Sequence, residues 1–166
     1  MTSNTTIFLD DGGVMNDNRL RGPQWRRLVG EFFPPLLGGA PEAWGAANFA
    51  VASELFETEV WTAMLHAAPD YLAFTRDYDR AWLAGMCRLV GVPVPPDEEA
   101  LALARQCADY ATRRVRSAFP GAIDAIRALH SAGYALHTAS GGLSTELSGY
   151  LDGMGVRVTR FAVDAE

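Results

Sequence analysis

The sequence predicts an α/β fold in which a parallel sheet core of about three strands is interrupted by a long helical insertion. Three observations predict it. A short β-branched and aromatic run, Thr5 to Leu9, is closed by Asp10-Asp11-Gly12-Gly13, the pattern of a buried strand entering a turn. From Asn16 to Ser117 the apolar spacing is helical, and no convincing strand occurs. At Phe119-Pro120-Gly121 an alternation of helix and strand begins and continues to Val163.

Taken in order, Arg19 to Phe33 reads as a helix with Trp25, Leu28, Val29, Phe32 and Phe33 on one side. Pro34-Pro35 stops it, because proline removes a donor and clashes with the preceding turn. A Gly/Pro-rich loop, Leu37 to Pro41, leads into helices over Glu42 to Phe56 and Glu57 to Ala67. Pro69-Asp70 starts another, with Tyr71, Phe74, Tyr78, Trp82 and Met86 on neighbouring turns. Val92-Pro93-Val94-Pro95-Pro96 is a stiff connector, and Asp97 is expected to cap the helix running through Leu101, Leu103, Cys107 and Tyr110. The aromatic residues of this insertion, Trp44, Phe49, Trp61, Tyr71, Phe74 and Trp82, are expected to form its own core rather than to line a pocket.

Beyond the insertion, Ala122 to Ser131 is an amphipathic helix with Ile123, Ile126 and Leu129 inward, ending near Gly133. Tyr134 to Ala139 is a second strand, and Ser140-Gly141-Gly142 a second small, glycine-rich turn. Leu143 to Met154 reads as a helix and Val156 to Val163 as a third strand. The expected domains are a sheet core over 1–16 and 118–166, and a helical domain over 17–117.

Composition narrows the function. With 166 residues, 49% of them hydrophobic, the chain can bury a real core. A formal charge of −6 and a pI near 5.0 argue against nucleic acid as a partner. All 14 cationic side chains are arginine, so no step can use a lysine amine and Schiff-base chemistry is excluded. Cys87 and Cys107 have no metal or redox spacing and read as buried small residues in a reducing compartment. The N-terminus lacks a basic region followed by an apolar stretch, and no apolar run approaches a membrane span. A cytoplasmic protein without a membrane partner is expected.

The chemistry-bearing residues sit at the two strand ends. A carboxylate closing a buried strand before a glycine turn points to a nucleophile facing a phosphate or a metal. An ordinary Asp-Gly turn is the other reading of Asp10 and Asp11. Ser140 likewise suits either a helix N-cap or a hydroxyl aimed at a substrate.

The arrangement resembles the haloacid dehalogenase-like (HAD) hydrolase superfamily. Ile7-Phe8-Leu9-Asp10-Asp11-Gly12-Gly13-Val14-Met15 is similar to that family's first motif. The helical insertion directly after it looks like the family's cap domain. Phe119-Pro120-Gly121, with the helix ending at Ala132-Gly133-Tyr134, is similar to the return to the core, and Ala135-Leu136-His137-Thr138-Ala139-Ser140 to the second motif. The resemblance covers nearly the whole chain. It implies a Rossmann-like core with an inserted cap, and a hydrolase of phosphatase or dehalogenase type acting on a small phosphorylated or otherwise activated substrate.

In that scheme Asp10 attacks phosphorus or an activated carbon, and water cleaves the resulting aspartyl intermediate. Mg²⁺ would be held by Asp10 and the backbone carbonyl of Gly12. The Ser140 hydroxyl, with the amides of Asp11 and Gly141, would hold the transferring group by preorganised hydrogen bonds.

Two departures from the family pattern carry consequences. The position two residues after the nucleophile, an acid–base aspartate in the family's phosphatases, is Gly12 here. General acid–base help is worth roughly 10²–10⁴-fold, so ordinary phosphomonoester hydrolysis is disfavoured. Asp11 is then a spacer whose side chain, in an extended strand, points to the opposite face. A shifted register would make Asp11 the nucleophile and Gly13 the second position. The family's third and fourth motifs find no match before Glu166, nor do its fourth and fifth strands. The first strand is therefore expected to have an open edge covered by a second copy or another chain, unless the sequence is a fragment or a truncated relative.

His137, within a strand, reads as a core or supporting residue, and His66 and His130 have no visible partner. Arg113, Arg114 and Arg116 read as a solvated face, with recognition of a substrate anion as the sharper alternative. The competing functional class is a catalytically weak or inactive binding or regulatory module, favoured by Gly12 and by the unmatched motifs.

Overall fold

The structure is a computed structural model in which residues 5–140, 144–158 and 160–162 are described. In chain order β1 (Thr6–Leu9) is followed by α1 (Asn18–Phe32), α2 (Pro34–Leu37), α3 (Pro41–Leu55), α4 (Thr58–Ala67), α5 (Tyr71–Val90) and α6 (Asp97–Thr112). Then come α7 (Ala122–Ser131), β2 (Ala135–Ala139), α8 (Ser144–Met154) and β3 (Arg160–Ala162). The fold is α/β with a helical insertion. Its described residues form two compact units, one up to Gln24 and again from Thr112, the other Trp25–Ala111.

In the sheet unit, β2 pairs in parallel with β1 on one side and β3 on the other. Ile7 lies beside Leu136 and Leu9 beside Thr138. Because side chains alternate along a strand, these four share one face while Phe8 and His137 share the other. On the first face Leu136 and Thr138 are fully buried, and Ile7 and Leu9 pack against the cluster of Met15, Ile126, Leu136, Leu151, Met154 and Val156. On the second, Phe8 is 60% exposed and meets His137 edge-on at 5.4 Å between ring centroids. β3 is shorter than the strand expected from Val156 to Val163. Residues 156–158 are not strand, and Val156 joins the apolar cluster instead.

The segment that re-enters this unit is tied to the loop after β1. Asp17 N donates to Ser117 O at 2.7 Å, Phe119 N donates to Met15 O at 3.0 Å, and Asn16 bridges antiparallel to Ala118. The Gln24 side chain adds a clasp, donating to Arg116 O at 2.9 Å and accepting from Arg116 N at 2.8 Å. These bonds explain why the compact units divide at 24/25 and 111/112, where the sequence placed the boundaries at 16/17 and 117/118. Hydrophobic periodicity does not register a backbone pairing of this kind.

The helical unit is built around Val29, Phe33, Trp44, Leu83, Met86, Cys87 and Cys107, all buried. Trp44 stacks on Phe33 at 4.7 Å between centroids, and its indole N–H donates to Gly38 O at 2.7 Å. Two glycines let α1 and α3 approach closely. A Cβ on Gly30 would stand 2.5 Å from Pro41 O, and one on Gly45 2.8 Å from Arg26 O.

Pro34 ends α1 as expected, yet it also opens α2, where a missing N–H costs nothing. Asp70 caps α5, accepting from Ala73 N at 2.7 Å. Asp97 is not a cap. It lies inside the first turn of α6 with Glu98 and Glu99, and the first turn is closed on Pro96 O by Ala100 N at 2.8 Å. Its charge suits the positive helix end from within. Among the described residues no helix is long and apolar enough to cross a membrane. Both cysteines are free and buried.

Candidate active site

β1 ends at Leu9, and the chain turns immediately. Asp11 O accepts from Met15 N at 3.0 Å and from Asn16 N at 2.9 Å, while Gly13 N donates to Asn16 O at 2.8 Å. Gly13 has φ +84°, a conformation open to glycine and strained for other residues. Gly12 is closely approached: a Cβ there would sit 3.3 Å from the Asn18 side-chain amide. This tight loop places Asp10 and Gly12 at the carboxyl end of the sheet, where the β2 chain also delivers Ser140.

The sheet unit contains an open pocket of about 330 Å³ at that end. Asp10, Asp11, Gly12 and Ser140 all line it, together with Asn18 and Arg21 from α1 and Glu146, Leu147 and Tyr150 from α8. Gly141 lies outside the described residues. The Asp10 carboxylate is oriented by its neighbour, Oδ1 accepting from Asp11 N at 2.7 Å. The Asp11 amide, expected to hold a transferring group, is engaged by this bond.

The Asp11 side chain corrects the sequence expectation. The alternation rule ends with the strand at Leu9, and Asp11 lies in the turn, lining the same pocket as Asp10. Its carboxylate is buried and held from two sides. Oδ1 accepts from Asn16 Nδ2 at 2.7 Å, and Oδ2 pairs with Arg21 Nη2 at 2.8 Å. Behind it, Ser117 Oγ donates to Asn16 Oδ1 at 2.9 Å. A polar chain, Ser117–Asn16–Asp11–Arg21, thus runs from the re-entering segment to the pocket. Arg21 lies over the Tyr150 ring, Cζ 4.3 Å from its centroid. One turn away, Asp17 receives the amide and guanidinium of Arg19, which hold its carboxyl below the usual carboxylate range.

Several pocket residues escape a reading of the sequence. Asn18 and Arg21, and Asn16 behind the pocket, follow the motif too closely to stand out from a helix start. Glu146 and Tyr150 do carry a signal, since they share a face of α8 one turn apart, just after Ser140. His137 is not among the lining residues, and neither are the arginines near the re-entry point. Arg113 pairs with Asp152, and Arg116 donates to Arg113 O at 2.8 Å.

The fit to Mg²⁺ is poor among the described residues. No three His, Cys, Asp or Glu side chains are grouped as metal ligands there. Both Asp11 oxygens are already taken, one of them by a guanidinium. A hard cation that demands octahedral oxygen coordination would find only Asp10 and the Gly12 carbonyl of the expected set.

No protein-family model and no curated protein matches the sequence. Solved structures do. The L-2-haloacid dehalogenase from Xanthobacter autotrophicus matches 95% of this chain at 16% identity with a TM-score of 0.53. The same enzyme with chloropropionic acid covalently bound matches equally. This chain spans 56% of the length of those structures. The likeness shows a haloacid dehalogenase-like fold with a helical cap.

Proposed function

We propose that the chain is a haloacid dehalogenase-like hydrolase, of the dehalogenase rather than the phosphatase type, with Asp10 as nucleophile toward a small activated substrate. The observation that carries this reading is the shared pocket of Asp10 and Ser140, each at the carboxyl end of its strand, with one Asp10 oxygen fixed by the Asp11 amide. Gly12 favours a carbon centre over phosphorus, because halide needs no proton to leave whereas a phosphate ester's alkoxide does. The structural neighbour holding covalently bound chloropropionic acid supports the same choice.

In this reading an Asp10 carboxylate oxygen attacks the halogen-bearing carbon and the carbon–halogen bond breaks, its electron pair leaving with halide. Water then adds to the carbonyl carbon of the resulting ester. The alkoxide leaves, takes one proton as the alcohol, and a second proton is released as the carboxylate is restored. Ser140 would orient the substrate by hydrogen bonding. No step is routed through a metal. The buried free thiols support action in a reducing, cytoplasmic setting.

Acid-quenched protein exposed to 2-chloropropionate, digested and weighed, tests this directly. An adduct on the Asp10 peptide that is absent from Asp10→Asn supports the reading. An adduct on Asp11 supports the shifted register. Turnover of an aryl phosphate with Mg²⁺ that Asp10→Asn abolishes would replace the dehalogenase type with the phosphatase type. Gly12 also favours a second reading, a binding or regulatory module, which gains if neither substrate reacts.

We also propose that β1 is covered along its outer edge by a second copy or another chain, since within the described sheet β1 pairs on one side only. Sedimentation showing a stable 18.0 kDa monomer would contradict it.

A further inference from the structure

The pocket holds a cation that the nucleophile scheme does not use. Arg21 is 17% exposed, and among the described residues its partners are Asp11, at 2.8 Å through Nη2, and the Tyr150 ring, whose centroid lies 4.3 Å from its Cζ. Its Nε is buried without an acceptor among the described residues. A guanidinium offers five N–H donors in a fixed fork, and Asp11 accounts for one bond among them.

The surroundings hold this fork rigidly. Asp11 cannot turn away, because Asn16 and Ser117 fix it from behind. Tyr150 supports the plane from α8. An ion pair serving stability alone would not require an aromatic platform, a locked carboxylate and an opening to a pocket together. Such an arrangement matches what planar, two-oxygen recognition needs.

We propose that Arg21 is a specificity-determining residue that binds the carboxylate of the substrate through its remaining donors. Asp11 acts on it as a positioning residue. A carboxylate fits better than a phosphate dianion, because Asp10, Asp11 and Glu146 already bring three carboxylates to the pocket and one arginine opposes them. The inference rests on the reading of this pocket as a substrate site, and it does not depend on Asp10 being a nucleophile.

Binding of propionate, its neutral isostere propionamide, and inorganic phosphate, followed by two-dimensional NMR titration of the full chain, tests it. The expected result is that propionate saturates the pocket resonances about tenfold more tightly than either of the others. Arg21→Lys, which keeps the charge and loses the fork, should weaken propionate about tenfold. Asp11→Asn/Arg21→Met, which leaves no unpaired buried charge, should abolish the preference over propionamide. Propionate binding that survives in Arg21→Lys at full strength overturns the proposal, whether or not the double variant folds. Equal binding of propionate and propionamide, or tighter binding of phosphate, also overturns it. If propionate binding requires Arg21 while no aspartyl adduct ever forms, the anion site stands and the nucleophilic reading falls.

Discussion

The helical unit and the sheet unit bury different things. In the first, the interior is aliphatic and aromatic, and among its described residues Thr75 is the one buried polar side chain, satisfied locally by Leu72 O at 2.9 Å. The sheet unit buries Asp11, Asn16, Asp17, Thr112, Ser117 and Thr138. Its apolar cluster is smaller and lies on one face of three short strands. One unit is held by packing. The other adds a hydrogen-bonded network whose members must all be present, because a half-satisfied buried network is costly. The difference teaches where chemistry is placed: the carboxylates and the arginine of the pocket all belong to the unit with the polar interior.

The same substitution in both units gives the largest test of this contrast. Leu83 and Leu136 are each fully buried, and their clusters share no residue. Leu→Ala in a core costs about 2–5 kcal/mol, depending on how far the site can collapse. Leu83 belongs to a buried cluster that includes the Phe33, Trp44 and Trp82 rings, and should fall near the upper end. Leu136, on a sheet whose other face is partly exposed, should fall near the lower end. All four tryptophans lie in the helical unit, so urea unfolding read by their fluorescence follows Leu83→Ala. Hydrogen exchange of the β2 amides follows Leu136→Ala. Equal losses, each appearing in full in both signals, would break the comparison.

Legibility followed the same divide. The helices of the insertion could be read because a stripe such as Tyr71, Phe74, Tyr78, Trp82 and Met86 repeats at helical spacing, and α5 spans it. The sheet could be read from Ile7 and Leu9 with Leu136, whose alternation survives even in strands this short. Asp10 and Ser140 could be read because each closes a strand. Asp11 could not, since its role depends on where β1 ends, a matter of one residue. Arg21 was invisible for another reason. Its partners lie in the turn after β1 and on α8, and nothing in local sequence brings a residue at 21 to one at 150. Side-chain networks between distant segments have no period, so pattern reading passes over them.

A smaller effect sharpens the contrast, because the two units carry aspartates shifted in opposite directions. In the sheet unit, hydrogen bonds from the Arg19 side chain and amide lower Asp17 below its ordinary 3.8. The native unit therefore binds fewer protons than the unfolded chain near that pH. The stability Asp17 supplies is present above 3.8 and is lost as pH falls through it toward the folded value. In the helical unit, burial raises Asp79, and the Arg105 guanidinium at 3.4 Å only partly offsets this. There the native state binds the extra proton, so Asp79 costs stability at neutral pH and the cost disappears as pH falls through its raised value. Asp79→Asn should accordingly raise the tryptophan-monitored urea midpoint at pH 7, with the advantage over the parent shrinking on acidification. Asp17→Asn should lower protection of the amides around residues 15–17 at pH 7 and converge on the parent only as pH falls below the lowered folded value of Asp17. If Asp79→Asn instead destabilises the helical unit at neutral pH, the Arg105 pair outweighs the burial of the carboxylate. A charged interaction would then hold the helical unit as well, and the division between a packed unit and a networked one would lose its sharpest edge.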